Sequence, residues 1–368
     1  MVSLPPVPVN DLGRLTEKEL SPLINAISEK VRSATFLNGP SVRELESRFG
    51  EYLGGYLSVA VANGTDALFV ALGAVGVQKG DTVLTVGNAA GYSTNAILRH
   101  QAIPIMCDID SKTSQISMSN LRTHLEDLPS IRAVVVTHLY GLMADICEIA
   151  SLCHRFGIRL IEDCAQSFGA RFNGIPAGAW GDAAAFSFYP TKNLAALGDG
   201  GLVAFRESEA FARAKMIVQY GWSSRYKVEI LDGLNSRLDE LQAAVVLHRL
   251  NDVDSRNSRR REILRRYSNS VAAPRRFIFE DSERCVAHLA VMRTMTRDRD
   301  QAVLNSHGIE TAIHYPIPDH KQPAWRHLFD GIVLPNTEAH CAEALTLPCF
   351  PELTEGEIVR VCEALQNL

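Results

Sequence analysis

The sequence predicts an α/β protein: a large domain built on a mainly parallel sheet with helices on both faces, followed by a smaller α+β domain. Three observations carry this expectation. Short β-rich runs alternate with helical patterns between residues 57 and 205. Those runs are apolar almost throughout, as strands buried on both faces read, rather than apolar at every second residue. Beyond residue 250 the alternation gives way to a helix, a strand, Pro-rich turns and a closing helix, so we divide the chain into 1–250 and 251–368.

Two helices precede the sheet, and the second, from about Val42 to Leu53, keeps Val42, Leu45, Phe49 and Leu53 on one face. Leu57 to Val61 reads as the first strand and Thr65 to Val75 as an Ala/Leu-rich helix. Gly80-Asp81 turns into a strand from Thr82 to Val86. Further strands are expected at Ile103 to Cys107, Ala133 to Thr137, Ile158 to Glu162, Ala183 to Phe188 and Gly201 to Phe205. Asp145 suits the cap of a helix running to Phe156. A long helical region from Ser236 to about Asn269 turns from apolar to basic. A strand from Val286 to Met292 and a helix from Glu355 complete the smaller domain.

The 368 residues carry 37 Lys+Arg against 42 Asp+Glu, a net charge of −5, which argues against nucleic acid as a bulk partner. Arg256, Arg259, Arg260, Arg261, Arg265 and Arg266 form one basic stretch, but it spreads around a helix without aromatic residues between. A solvated helix face or a subunit contact explains it better. No run approaches the roughly 18 apolar residues of a membrane span. The start, Met1-Val2-Ser3-Leu4-Pro5-Pro6-Val7-Pro8, lacks the basic and apolar parts of a signal peptide. The eight cysteines are scattered, with no Cys-x-x-Cys pair, so reduced thiols and a cytoplasmic protein without a metal site are expected.

Four segments carry chemistry. Asn63-Gly64-Thr65-Asp66-Ala67-Leu68 sits at a strand-to-helix turn, where free N–H groups and the helix dipole suit a phosphate. Thr65 and Asp66 are also ordinary helix-start residues. Glu162-Asp163-Cys164-Ala165-Gln166-Ser167 follows an apolar strand, and acidic residues there face the crevice in which α/β proteins bind ligands. Neighbouring strand residues point to opposite sides, so one of Glu162 and Asp163 enters the crevice; position alone leaves open which. Phe186-Ser187-Phe188-Tyr189-Pro190-Thr191-Lys192-Asn193 runs on to Gly198-Asp199-Gly200-Gly201 and offers a lysine five residues after a hydroxyl. A lysine so enclosed can lose its proton and form a Schiff base. Leu234-Asn235-Ser236-Arg237-Leu238-Asp239-Glu240 reads by itself as a helix start capped by Asn235 or Ser236. Phosphate cradle, carboxylate, hydroxyl and lysine together are the parts of a pyridoxal-phosphate site. Neither a dinucleotide fingerprint nor a P-loop is present.

From about residue 15 to the C-terminus the chain resembles the DegT/DnrJ/EryC1/StrS family of pyridoxal-phosphate-dependent sugar aminotransferases. The four segments carry the resemblance, with Ile313-His314-Tyr315-Pro316-Ile317-Pro318, His320, Gln322 and Leu347-Pro348-x-Phe350-Pro351-Glu352-Leu353. It implies an aspartate-aminotransferase-like fold (fold type I), working as a homodimer with shared active sites. By the same resemblance Lys192 is the lysine that holds the cofactor as an internal aldimine, and Asp163 the partner of the pyridine nitrogen. Gln166 is similar to the residue at the ring hydroxyl. Gly64, Thr65, Asp66 and Ser187 match the phosphate side, and Asn235 the phosphate ligand from the neighbouring subunit. Many members carry Thr-Phe or Thr-Trp after the second strand, whereas this chain has Asn88-Ala89-Ala90-Gly91-Tyr92-Ser93, so the stacking role falls to Tyr92.

The resemblance implies transfer of the amino group of glutamate to a nucleotide-linked keto-sugar. Tyr220 to Lys227 is similar to the loop of members that aminate C3 of dTDP-3-keto-6-deoxyhexoses. Trp222, Arg225, Tyr226 and Lys227 are therefore candidate sugar or diphosphate contacts, and His314, Tyr315 and His320 are placed near the site entrance. The alternatives are amination at C4 of a 4-keto-6-deoxyhexose and a regulatory relative that keeps the cofactor without catalysis. Relatives that dehydrate sugars carry histidine where this chain has Lys192.

Overall fold

The computed structural model describes residues 5–128 and 130–368. Met1 to Leu4, half of the segment read for a signal peptide, lie outside the described residues. Helices α1 (Leu12–Ser33) and α2 (Pro40–Tyr52) lead into β1 (Leu57–Val61), α3 (Gly64–Ala74), β2 (Thr82–Val86) and α4 (Tyr92–Arg99). Next come β3 (Ile103–Cys107), α5 (Met118–Asp127), β4 (Ile131–Thr137), α6 (Ile146–Phe156) and β5 (Arg159–Asp163). A small ribbon, β6 (Arg171–Phe172) and β7 (Ile175–Pro176), precedes β8 (Ala183–Ser187), β9 (Gly201–Phe205) and α7 (Ser208–Ile217). The hairpin β10 (Trp222–Ser224) and β11 (Lys227–Val228) is followed by α8 (Glu240–Leu250) and α9 (Val253–Ser270). The remainder is β12 (Arg276–Phe277), β13 (Ala290–Arg293), α10 (Arg297–Ser306), α11 (Pro335–Glu343), β14 (Ala344–Leu347) and α12 (Glu355–Gln366).

Seven strands form the main sheet in the order β1-β9-β8-β5-β4-β2-β3. All its pairings are parallel except those of β9, which runs against both neighbours. The carboxyl ends of β1, β2, β4, β5 and β8 therefore lie along one edge, the edge where such sheets build ligand sites. Along β4, Val134 and Val136 enter one core, and Ala133 and Val135 enter the other. That alternation is the period of two, with both faces dry. A third core joins α9, β13, β14 and α12, and it recruits Val7, Leu139 and Tyr140 from earlier in the chain.

Several expected elements differ. The region from Ser236 to Asn269 is two helices, and α8 begins only at Glu240. Ser236 caps nothing: its hydroxyl donates to Asp66 Oδ2 (2.8 Å) and accepts the Ala62 N–H (3.0 Å), so it is committed across the sheet edge. Asn235 pairs instead with Gln219. The strand expected from Val286 starts at Ala290, because the Val286 and His288 N–H groups bond to Gly141 and Tyr140. Asp145 precedes α6 without a capping hydrogen bond; its carboxylate pairs with Arg284 at 2.9 Å. The basic stretch is largely neutralised by Glu352, Glu355, Glu262 and Asp281, while buried Arg260 donates to the Cys349 and His288 carbonyls. Among the described residues no helix is long and apolar enough to cross a membrane.

Helix α2 starts at a glycine and has no side-chain cap of its own. Glu240, fully buried at the head of α8, accepts the Ser41 and Val42 N–H groups at 2.9 and 2.8 Å. A Cβ on Gly39 would stand 2.7 Å from that carboxyl carbon, so the glycine is what lets the carboxylate in. Replacing Glu240 with Ala orphans two buried donors, and should lower unfolding free energy by about 1–2 kcal/mol in a denaturant titration.

Candidate active site

The end of β1 delivers Asn63, whose side chain accepts the Asp66 N–H at 2.8 Å and so caps α3. This leaves the first N–H groups of α3, at Gly64 and Thr65, without helical partners. Gly64 abuts Ser187 at the end of β8: a Cβ on Gly64 would lie 2.7 Å from the Ser187 Cβ. Backbone donors, a serine hydroxyl and the positive end of a helix thus share one concave corner. Asp66 also borders it, but its N–H belongs to Asn63 and its carboxylate to Ser236 (2.8 Å) and Arg99 (3.4 Å). These contacts fix Asp66 in the wall of the cavity, next to Gly64 and Thr65.

Strand β5 resolves the acidic pair. Glu162 turns away from the cavity into the fold, where it accepts from Gly178, Trp180 and Gly181 N–H groups and from His138 Nε2. His138 Nδ1 in turn accepts the Ala144 N–H at 3.2 Å. His138, Glu162 and Cys164 are close enough to share an ion, but the first two already spend these atoms on hydrogen bonds. Asp163 lines the cavity instead. Only 4% exposed, it accepts the Ala165 N–H (3.1 Å) and the Thr137 hydroxyl (3.4 Å). Burial pushes its carboxyl up from the usual range, and the nearby positive charge of Lys192 pulls it back.

Lys192 follows β8 in a turn closed by its own N–H to the Tyr189 carbonyl at 2.8 Å. Its neighbour Asn193 is a three-way clamp. The amide donates to Asn257 Oδ1 (2.7 Å) and the Val286 carbonyl (3.1 Å) and accepts from His288 Nδ1 (2.8 Å). Enclosure of the Lys192 amine lowers its pKa to about 8, with Asp163 opposing the shift. His288 and His314 are both held below the ordinary histidine value, first by burial and then by Lys192.

Gly64, Thr65, Asp66, Tyr92, Asp163, Gln166, Ser187 and Lys192 all line one cavity of about 470 Å³. Gln166 Oε1 accepts the Tyr140 N–H (2.6 Å), while its Nε2 donates to the Tyr315 hydroxyl (3.2 Å). Tyr315 thus stands beside the cavity, and His314 is tied to Thr346 at 2.9 Å. His320 is not at an entrance: it is 3% exposed and paired with Glu338 at 3.0 Å, because its segment folds back under the loop after β2. Asn235 is exposed and does not line the cavity of its own chain. Trp222, Arg225, Tyr226 and Lys227 likewise sit away from it on the hairpin. Sequence reasoning missed Thr137, Tyr189 and Asp199 on the cavity wall. Thr137 was findable, since it stands opposite Asp163 in the β4–β5 register.

A phosphate, an aromatic ring with a basic nitrogen and an aldehyde find their counterparts here in the Gly64–Ser187 corner, Asp163 and Lys192. Residues 18–366 match the DegT/DnrJ/EryC1/StrS aminotransferase family, and the chain belongs to it. It is 35% identical over 368 residues to the pleiotropic regulatory protein of Geobacillus stearothermophilus, covering 98% of this chain and 97% of that one. It is also 35% identical over 365 residues to the dTDP-3-amino-3,6-dideoxy-alpha-D-galactopyranose transaminase of Aneurinibacillus thermoaerophilus, covering 98% and 99%. The solved structure of NtdA from Bacillus subtilis, with bound cofactor PMP, superposes with a TM-score of 0.92 at 29% identity, over 99% of this chain and 85% of that one. The protein is a sugar aminotransferase of aspartate-aminotransferase-like fold, and its cofactor is pyridoxal 5′-phosphate.

Because the neutral amine is the nucleophile, covalent uptake of pyridoxal phosphate by apoprotein should accelerate as pH rises through about 8 and level off about one unit higher. Stopped-flow absorbance between pH 6 and 10 checks this, with the midpoint near 8 rather than at the ordinary lysine value of about 10.4.

Proposed function

We propose that the protein moves the amino group of glutamate to a nucleotide-linked keto-sugar, a dTDP-3-keto-6-deoxyhexose, releasing 2-oxoglutarate and the 3-amino sugar. The observation that supports this best is a buried carboxylate and an amine of lowered pKa in one cavity, within a chain similar end to end to a dTDP-3-amino-sugar transaminase. Bound pyridoxal 5′-phosphate supplies a carbonyl that carries amino groups and a protonated ring that withdraws electrons from them.

The chain's own residues divide the remaining work. Gly64 and Thr65 N–H groups and the Ser187 hydroxyl hold the phosphate, joined by Asn235 of the partner subunit. Asp163 keeps the ring nitrogen protonated, since a cation beside this buried carboxylate relieves its desolvation. Gln166 has its oxygen committed to Tyr140, leaving amide N–H to hold the ring oxygen. Tyr92 covers one ring face. The Lys192 amine takes the proton from the α-carbon of glutamate, and in the second half it returns a proton to the sugar carbon that gains nitrogen.

A homodimer supplies what one chain lacks. Leu20, Ile24 and Val31 on α1, Tyr226 and Val228 on the hairpin, and Leu231 just after it are apolar and exposed. Trp222 and Tyr226 pack edge to face at 5.3 Å, and Arg225 lies over Tyr226 at 4.9 Å. Across a dimer this hairpin would offer aromatic faces to a sugar and cations to a diphosphate, the latter from Arg225 and Lys227. His314 and Tyr315 border the same space. All eight cysteines are free thiols, which suits the reducing cytoplasm.

Purified enzyme should release 2-oxoglutarate from glutamate continuously only when a dTDP-3-keto-6-deoxyhexose is supplied; turnover with the 4-keto isomer alone would overturn the C3 assignment. Lys192→Ala should lower turnover by about 10³ or more with an unchanged melting transition, because both nucleophile and proton carrier are lost.

A further inference from the structure

Asp319 is 0% exposed, yet its carboxylate meets no cation among the described residues. Its donors are the Gly91 N–H at 2.8 Å to Oδ1 and the Thr94 hydroxyl at 2.6 Å to Oδ2. A buried carboxylate without a counter-charge is costly and needs an account. Burial raises its pKa to about 6, while the two hydrogen bonds act the other way. What it faces is the start of α4, a helix with a glycine at the cap position, φ 76°, and no capping side chain of its own. In a capping box, a carboxylate three residues into the helix bonds the cap residue's N–H. Here Asp319 makes that bond from 228 positions away, at the positive end of the helix dipole.

The same segment closes the loop from the other side. The Asp319 N–H donates to the Gly87 carbonyl at 2.7 Å, and its carbonyl accepts from Trp325 Nε1 at 2.6 Å. The Trp325 ring stands 3.0 Å from where a Cβ on Gly91 would be, filling the space the glycine leaves. Residues 87 to 94 are therefore held at Gly87, Gly91 and Thr94 by one aspartate. The first residue of α4 is Tyr92, half exposed and lining the cofactor cavity. Its neighbours on either side in sequence are thus restrained while its own ring is free to meet a ligand.

We propose that Asp319 is a positioning residue for the cofactor: it fixes the turn at Gly91 so that the Tyr92 ring covers the pyridine. This rests on the stacking role given to Tyr92 above. It also accounts for the segment Pro318-Asp319-His320, whose histidine has no place on the cavity wall.

The test is a double-mutant cycle on apoprotein, with pyridoxamine 5′-phosphate as the probe because it cannot bond covalently to Lys192. Its dissociation constant is read by fluorescence titration, beside a melting curve for each variant. Tyr92→Ala should weaken binding about five- to tenfold. Asp319→Asn, which keeps the shape but loses the charge, should weaken it about fivefold in the natural background and not at all beside Tyr92→Ala. Thr94→Val removes one of the two bonds and should show the same dependence with a smaller loss, should Asp319→Asn fail to fold. Equal losses from Asp319→Asn with and without Tyr92, or no loss in either, would overturn the proposal and leave the stacking role standing. Unchanged binding in Tyr92→Ala would overturn both.

Discussion

A carboxylate enclosed at the end of β5 sets the terms for everything around it. Asp163 has one backbone donor and one long contact from Thr137, less than a buried charge requires, so the fold leaves it in want of a cation. The Lys192 amine borders the same cavity but is itself desolvated and inclined to lose its proton. Neither group can satisfy the other fully, and a ligand that brings its own protonated ring nitrogen and an aldehyde answers both. The sheet makes this possible, because β5 and β8 are adjacent and parallel, and their ends carry Asp163 and Ser187 to one rim.

Remote carboxylates hold the rest of the frame. Glu240 starts α2, Asp319 starts α4, and Asp108 accepts the Asn336 and Thr337 N–H groups that start α11. None of the three helices supplies its own cap. Each such contact joins segments distant in sequence, so helix formation and tertiary docking are one event. The Asn193 clamp follows the same logic without charge: it binds the lysine turn to α9 and to the segment before β13.

Much of this was legible in the sequence. The strands at residues 82–86, 103–107 and 201–205 carry the expected bounds, since short, mainly apolar runs between turn residues leave little alternative. Eight of the nine residues assigned to the cofactor gather at one cavity, because ligand sites in such sheets follow strand ends that sequence can locate. What stayed hidden depends on partners far along the chain. Ser236 looks like a helix cap until Asp66 and Ala62 are seen to claim it. His320 belongs to a recognisable motif, but only the fold shows it paired behind the loop rather than facing the cavity. Asn235 and the hairpin residues from Trp222 to Lys227 sit away from the cavity of their own chain, which sequence position alone does not reveal.

The central claim, that Lys192 and Asp163 were built around pyridoxal phosphate for amino transfer, is tested most directly by absorption spectroscopy. Spectra of purified protein are recorded alone, with pyridoxal phosphate, and after glutamate. The account predicts a yellow band when the cofactor binds, lost on adding glutamate and restored by 2-oxoglutarate. A protein that gives no band with cofactor in excess, or a band indifferent to glutamate, would contradict it.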